Sequence, residues 1–211
     1  MRPSALSVLA AALLACGHVS KLRPTPKGAI AAEAAFGGPV GMVESYTLPL
    51  PLLTAGASYG VHDRFDVDAH AHLTAALLGV AGVDVGSTGL LLEQGGAVPA
   101  VSLTGRLYAF ANAQAFAPYF ELTPVASWKL FDRYSAYVSG TALFQFLGGR
   151  PLFAVGGGGR AQLGASGLQL ELRWYEPDYV STNLPTRWYG VGPLGAWGFV
   201  LAYDYRFGGT R

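Results

Sequence analysis

The chain has 211 residues, of which 51% are hydrophobic, 12% aromatic and 13% charged, with 29 glycines. Globular domains carry about 25% charged residues, so an ordinary water-facing surface is hard to build from this composition. Beyond the N-terminus no stretch approaches the ~18 consecutive apolar residues of a spanning helix. Long polar tracts that would signal disorder are missing, and a net charge of +1 gives no electrostatic case for nucleic acid.

Residues 1–15 read as an export signal peptide: Arg2 supplies positive charge and Ala5 to Ala15 are almost wholly apolar. The run ends in Leu13-Leu14-Ala15-Cys16 followed by Gly17. This ending resembles the lipobox of bacterial lipoproteins. The resemblance implies cleavage before Cys16 and lipid attachment there, and the absence of aspartate after Cys16 implies delivery to the outer membrane. Cys16 is the only cysteine, so an intrachain disulfide is impossible. Residues 16–27, with Lys21, Arg23, Pro24, Pro26 and Lys27, then read as a stiff, basic, lipidated tether.

Residues 28–207 alternate with a period of two, the mark of strands with one apolar and one polar face. Glycine and alanine dilute the signal at 28–36, 52–61, 79–92 and 151–164. The clearest segment is Phe65 to Thr74, where Phe65, Val67, Ala69, Ala71 and Leu73 oppose Asp66, Asp68, His70, His72 and Thr74. Val101, Leu103 and Leu107 oppose Ser102, Thr104, Arg106 and Tyr108. Phe120, Leu122, Ala126 and Trp128 oppose Glu121, Thr123, Ser127 and Lys129, and a similar strand starts at Tyr134. Leu168, Leu170, Leu172 and Trp174 oppose Gln169, Glu171, Arg173 and Tyr175. The last strand alternates from Trp197 to Phe207, and 208–211 form a C-terminal tail.

These segments predict about ten antiparallel strands (8–12), each near the ~9–11 residues that cross a bilayer at a tilt. Short turns at 62–64, 93–98, 132–133 and 164–167 alternate with connections that include long loops at 37–51 and 177–196, as in bacterial outer-membrane barrels. Lysine occurs only at 21, 27 and 129, and aromatics gather near strand ends, so the apolar face is expected to meet lipid. From 28 to 207 the chain resembles small outer-membrane β-barrel proteins, through the hairpin Tyr59-Gly60-Val61-His62-Asp63-Arg64-Phe65-Asp66 and the ending Tyr203-Asp204-Tyr205-Arg206-Phe207. The fold this implies is all-β, an up-and-down transmembrane barrel. Its implied partners are outer-membrane lipids, lipopolysaccharide and the barrel-assembly machinery that reads such a last strand.

The inward charges are then Glu33, Asp66, Asp68, Asp84, Glu121, Glu171 and Asp204 against Arg106, Lys129, Arg160, Arg173 and Arg206. With His70 and His72 these are expected to form a polar lumen network, because buried charges are costly unless paired. Asp66, Asp68, His70 and His72 lie on one strand face, a donor set that suits zinc or another transition metal. The letters are those of the omptin proteases, which set their Asp-Asp and Asp-His pairs on separate parts of the rim. The reading therefore commits to a network, with no metal, cofactor or catalytic residue. Gly156 to Gly159 lacks the Lys-Ser/Thr of a phosphate loop, and no Gly-x-Ser-x-Gly elbow occurs.

The expected function is a lipid-anchored outer-membrane barrel of structural or surface-interaction role, with a closed or narrow lumen and loops 37–51 and 177–196 presented outside. The second loop offers Tyr179, Trp188 and Tyr189. The alternatives are a narrow channel for small solutes and a periplasm-facing lipoprotein barrel that binds lipid.

Overall fold

The computed structural model describes residues 17–43, 46–49, 52–146, 148–180, 187–188 and 193–208. Residues 1–15, expected to be a signal peptide, Cys16, Tyr189 and most of the C-terminal tail lie outside these residues. Ten long strands form one antiparallel sheet that closes on itself. They are β1 (Ile30–Val43), β3 (Leu52–His62), β4 (Phe65–His72), β5 (Ala81–Leu92), β6 (Ala100–Ala111), β7 (Phe116–Phe131), β8 (Tyr134–Gln145), β9 (Leu152–Leu163), β10 (Ser166–Val180) and β12 (Leu194–Phe207). Each pairs with its sequence neighbour, and β1 pairs with both β3 and β12. Closure runs from Ile30↔Phe207 to Pro39↔Gly198, with Glu33 opposite Asp204.

The termini of the barrel and its short turns share one end, here the turn end. At the opposite loop end β2 (Tyr46–Pro49) and β11 (Arg187–Trp188) both pair with β1. Parts of the two long loops thus continue the sheet above the barrel, where irregular loop was expected. The strand expected to run to Thr74 stops at His72. Leu73–Leu77 form a short helix, α1, built of good helix formers apart from Thr74. The Thr74 hydroxyl there accepts the Leu53 amide at 2.8 Å, which ends the β3–β4 ladder.

The faces lie as the alternation predicts. On β4, Phe65, Val67, Ala69 and Ala71 are exposed and Asp66, Asp68, His70 and His72 buried. Val83, Val85, Leu107, Val138, Val155, Leu168, Leu170 and Leu201 point outward around the circumference. Tyr59, Phe65, Tyr134, Tyr203, Tyr205 and Phe207 ring the outside toward the turn end. Trp174 and Trp197 stack with centroids 5.8 Å apart toward the loop end. An apolar band between aromatic girdles is the outside of a barrel that sits in hydrocarbon. A soluble barrel that carries lipid in an apolar cavity needs the opposite arrangement, and that alternative falls here.

Val85 and Leu107 face each other across β5 and β6, outward and midway along both strands. Val85→Arg should destabilise a membrane-embedded barrel by about 2–4 kcal/mol, read as a lower temperature at which the compact, SDS-resistant band of unheated samples converts to the unfolded one. In a water-facing barrel the same change would leave that temperature unmoved.

Candidate functional site

The lumen is filled by the segment expected to be a tether. Residues 17–27 run lengthwise inside the barrel, and His18, Ser20, Leu22 and Thr25 are buried. Near the loop end Thr54 Oγ1 donates to the Gly17 carbonyl at 3.4 Å. Near the turn end Gly28 N donates to Gly60 O at 2.8 Å and Ala29 N to Pro26 O at 3.0 Å. Gly28 has φ of 73°, a left-handed conformation that glycine adopts without steric cost, and here the chain turns from the lumen into β1. The tether reading fails because the segment's backbone and Lys21 find polar partners along the wall that a free segment would forgo.

Those partners are specific. Ser20 N donates to Glu171 Oε2 at 2.7 Å and its hydroxyl to Oε1 at 3.1 Å. Gln169 donates to the Ser20 carbonyl at 2.7 Å, and Arg173 to the His18 carbonyl at 2.9 Å. The Ser102 hydroxyl lies 3.1 and 3.0 Å from the carbonyls of Lys21 and Leu22. Thr25 N donates to Asp66 Oδ2 at 2.6 Å, and the Thr25 and Ser58 hydroxyls are 2.7 Å apart. Lys21 Nζ lies 2.8 Å from Asp66 and 3.1 Å from Glu33. Leu22 packs with Val125 and Tyr137.

Four polar groupings make up the wall. Against β1 and β4–β6, Asp84 Oδ2 lies 2.9 Å from His18 Nε2 and 2.8 Å from His72 Nε2. Arg106 pairs with the other Asp84 oxygen and lies 2.8 Å from Asp68 Oδ1. His70 Nε2 is 3.0 Å from Glu33, and its Nδ1 is 2.9 Å from Arg106 Nη1. Against β8–β10, Glu171 accepts from Arg173 at 2.7 Å and from the Tyr137 hydroxyl at 2.9 Å. Glu121 accepts from Tyr108 at 2.7 Å and Thr123 at 3.0 Å. Toward the turn end, Arg160 pairs with Asp204 at 2.6 Å.

The residues expected to form one network thus fall into four groupings, and the N-terminal segment joins the Asp84 and Glu171 ones. Arg206 lines a cavity of about 350 Å3 beside that segment, together with Arg133 and Arg160. Lys129 sits at the rim, near Asp132 at 3.8 Å. Sequence reasoning missed His18, Ser20, Lys21 and Thr25; the inward set of seven acids against five bases is the one signal that could have pointed to further cations.

Glycines make the room. A Cβ on Gly86 would meet Asp68 and Arg106, one on Gly156 Glu171 and Ser139, and one on Gly158 the Tyr137 hydroxyl. Gly156 and Gly158 of the run Gly156–Gly159 therefore serve close approach of large polar side chains. Beyond the polar layer, Leu52, Ala75, Tyr108, Phe110, Tyr119 and Leu143 form an apolar cluster toward the loop end.

No family model matches the sequence, and none of the curated proteins matches it either. Among solved structures it is similar to the translocator domain of the autotransporter NalP from Neisseria meningitidis, at 9% identity over 96% of each chain, with a TM-score of 0.50. It is also similar to an outer membrane channel from Pseudomonas putida F1, at 9% identity over 90% of this chain and 100% of that one, with a TM-score of 0.49. The fold is that of an outer-membrane β-barrel. Likeness at this identity concerns the fold alone.

Removing one partner of a buried pair strands the other charge, at about 3–5 kcal/mol. Glu171→Ala should therefore lower the conversion temperature of the unheated band strongly, because Arg173, Tyr137 and Ser20 all lose their acceptor. Val138→Ala, on the outward face beside it, should change it little.

Proposed function

We propose that the protein is an outer-membrane β-barrel closed by its own N-terminal segment, anchored by lipid on Cys16, with a structural or surface-interaction role. The observation that carries this reading is the seat of residues 17–27, which bond to the wall from Thr54 to Asp66. A ten-stranded barrel is only slightly wider than eight-stranded ones whose side chains fill the interior, so an extended strand of chain is enough to block it. The turn end with its short connections corresponds to the periplasmic side and the loop end to the cell surface.

With the segment seated, Gly17, the residue after Cys16 in the sequence, is buried toward the loop end. A lipid there belongs to the outer side of the membrane, whereas a free tether would hold it in the inner leaflet. The mature protein should begin at Cys16 and carry the mass of an acylated glyceryl group. A chain without that mass loses the anchor and keeps the plugged barrel.

The role is tested in planar bilayers. The full chain should be electrically silent, and a variant lacking residues 18–26 should show discrete conductance steps. Discrete conductance of the intact protein would overturn the closed reading in favour of the narrow channel. A silent deletion variant with an intact heat-shifted band would show that something else closes the lumen.

A further inference from the structure

We propose that His18, His72 and Asp84 form a binding site for a transition-metal dication, zinc being the ion the ligand set suits, and that the ion clips the N-terminal segment to the barrel wall. The inference rests on that segment being seated, since His18 comes from it and the other two ligands from β4 and β5.

The ligand atoms converge. One imidazole nitrogen from each histidine and one Asp84 oxygen all lie within 4.8 Å of one another, and all three residues are buried. Both Nε2 atoms approach the same oxygen, Asp84 Oδ2, at 2.8 and 2.9 Å. With zinc bonds of about 2.0–2.2 Å, tetrahedral ligands stand about 3.3 Å apart, so each nitrogen has to recede from Asp84 Oδ2 by roughly half an ångström to admit the ion. Each ring then moves its proton from Nε2 to Nδ1, and neutral rings release none. Two imidazoles and a carboxylate with a fourth position open are a usual zinc donor set.

Charge points the same way. Around the three histidines Glu33, Asp66, Asp68 and Asp84 face only Lys21 and Arg106, which leaves two negative charges in a buried site. Asp68 Oδ1 is ion-paired with Arg106 at 2.8 Å, yet among the described residues neither Asp68 oxygen accepts a hydrogen bond of good geometry. Asp68, His70 and Asp84 form a second convergent group that shares Asp84 with the first. A dication would supply the missing charge.

The test uses the full-length protein folded in detergent, stripped with chelator and titrated with Co2+ alone at neutral pH. One ion per chain should bind, with the intense visible bands of a four-coordinate site, and Zn2+ should displace it. His18→Ala and His72→Ala should each weaken binding by more than the about 10–100-fold that partners outside the ligand set are worth, while His62→Ala on the exposed turn leaves it unchanged. Heat-shifted migration checks folding of each variant, and His18 lies off the barrel wall, so its loss leaves the strands intact. Absence of binding by the wild-type chain, or binding unchanged by His18→Ala, overturns the site. Thr25→Cys with Ser58→Cys, in a Cys16→Ser background, reports the seat separately. A disulfide without metal binding refutes the clip and keeps the plug; failure of the disulfide refutes the plug itself.

Discussion

Polar groups turned into a narrow, plugged lumen must find partners, and neither the wall nor the N-terminal segment can satisfy that demand alone. The wall turns Glu33, Asp66, Asp68, Asp84, Glu121, Glu171 and Asp204 inward, more carboxylates than its own arginines can neutralise. The segment brings the complement: the Lys21 ammonium, the Ser20 and Thr25 amides, and carbonyls that take up donors from Gln169, Arg173 and Ser102. Burying an amide or a charge unpaired costs several kcal/mol, so the two parts are each stable chiefly in the presence of the other.

The same demand explains the glycine content. Glutamate, arginine and tyrosine side chains that meet inside a ten-stranded barrel need neighbours without side chains, and Gly86, Gly156 and Gly158 stand where such groups pass. Glycine weakens a strand locally, a cost offset by ladder pairing around the closed circumference, which leaves no unpaired edge. Outside the barrel the opposite logic holds, and large apolar residues such as Val83, Val85, Leu107 and Leu170 face outward.

Strand positions and faces were legible in the sequence because hydrocarbon outside and polar contacts inside imprint a period of two on each strand. Phe65 to His72 carries that imprint in full, and closure follows once the first and last strands both alternate. The helix at Leu73–Leu77 was hidden because its leucine and alanine residues continue the alternation of β4. The plug was hidden for a deeper reason. Residues 17–27 touch the wall through backbone groups as much as side chains, so no periodicity marks them, and Ser20 finds Glu171 across 151 residues of sequence. Only the seven acids against five bases of the wall were visible, a small excess that says nothing of where further cations lie.

What holds the segment in place determines what could release it. Its main apolar anchor is Leu22 against Val125 and Tyr137, while the remaining contacts are hydrogen bonds and ion pairs. Exchanging a hydrogen bond with protein for one with water changes free energy by only about 0.5–1.5 kcal/mol, so a lumen that floods as the segment leaves recovers most of that loss. The carboxylates around Lys21 and His18 are different, because withdrawing the segment leaves them facing one another with Arg106 as their remaining strong cation. Closure of this barrel is therefore governed by charge more than by packing, and the turn at Gly28 confines the change to the segment, with no strand of the wall required to separate.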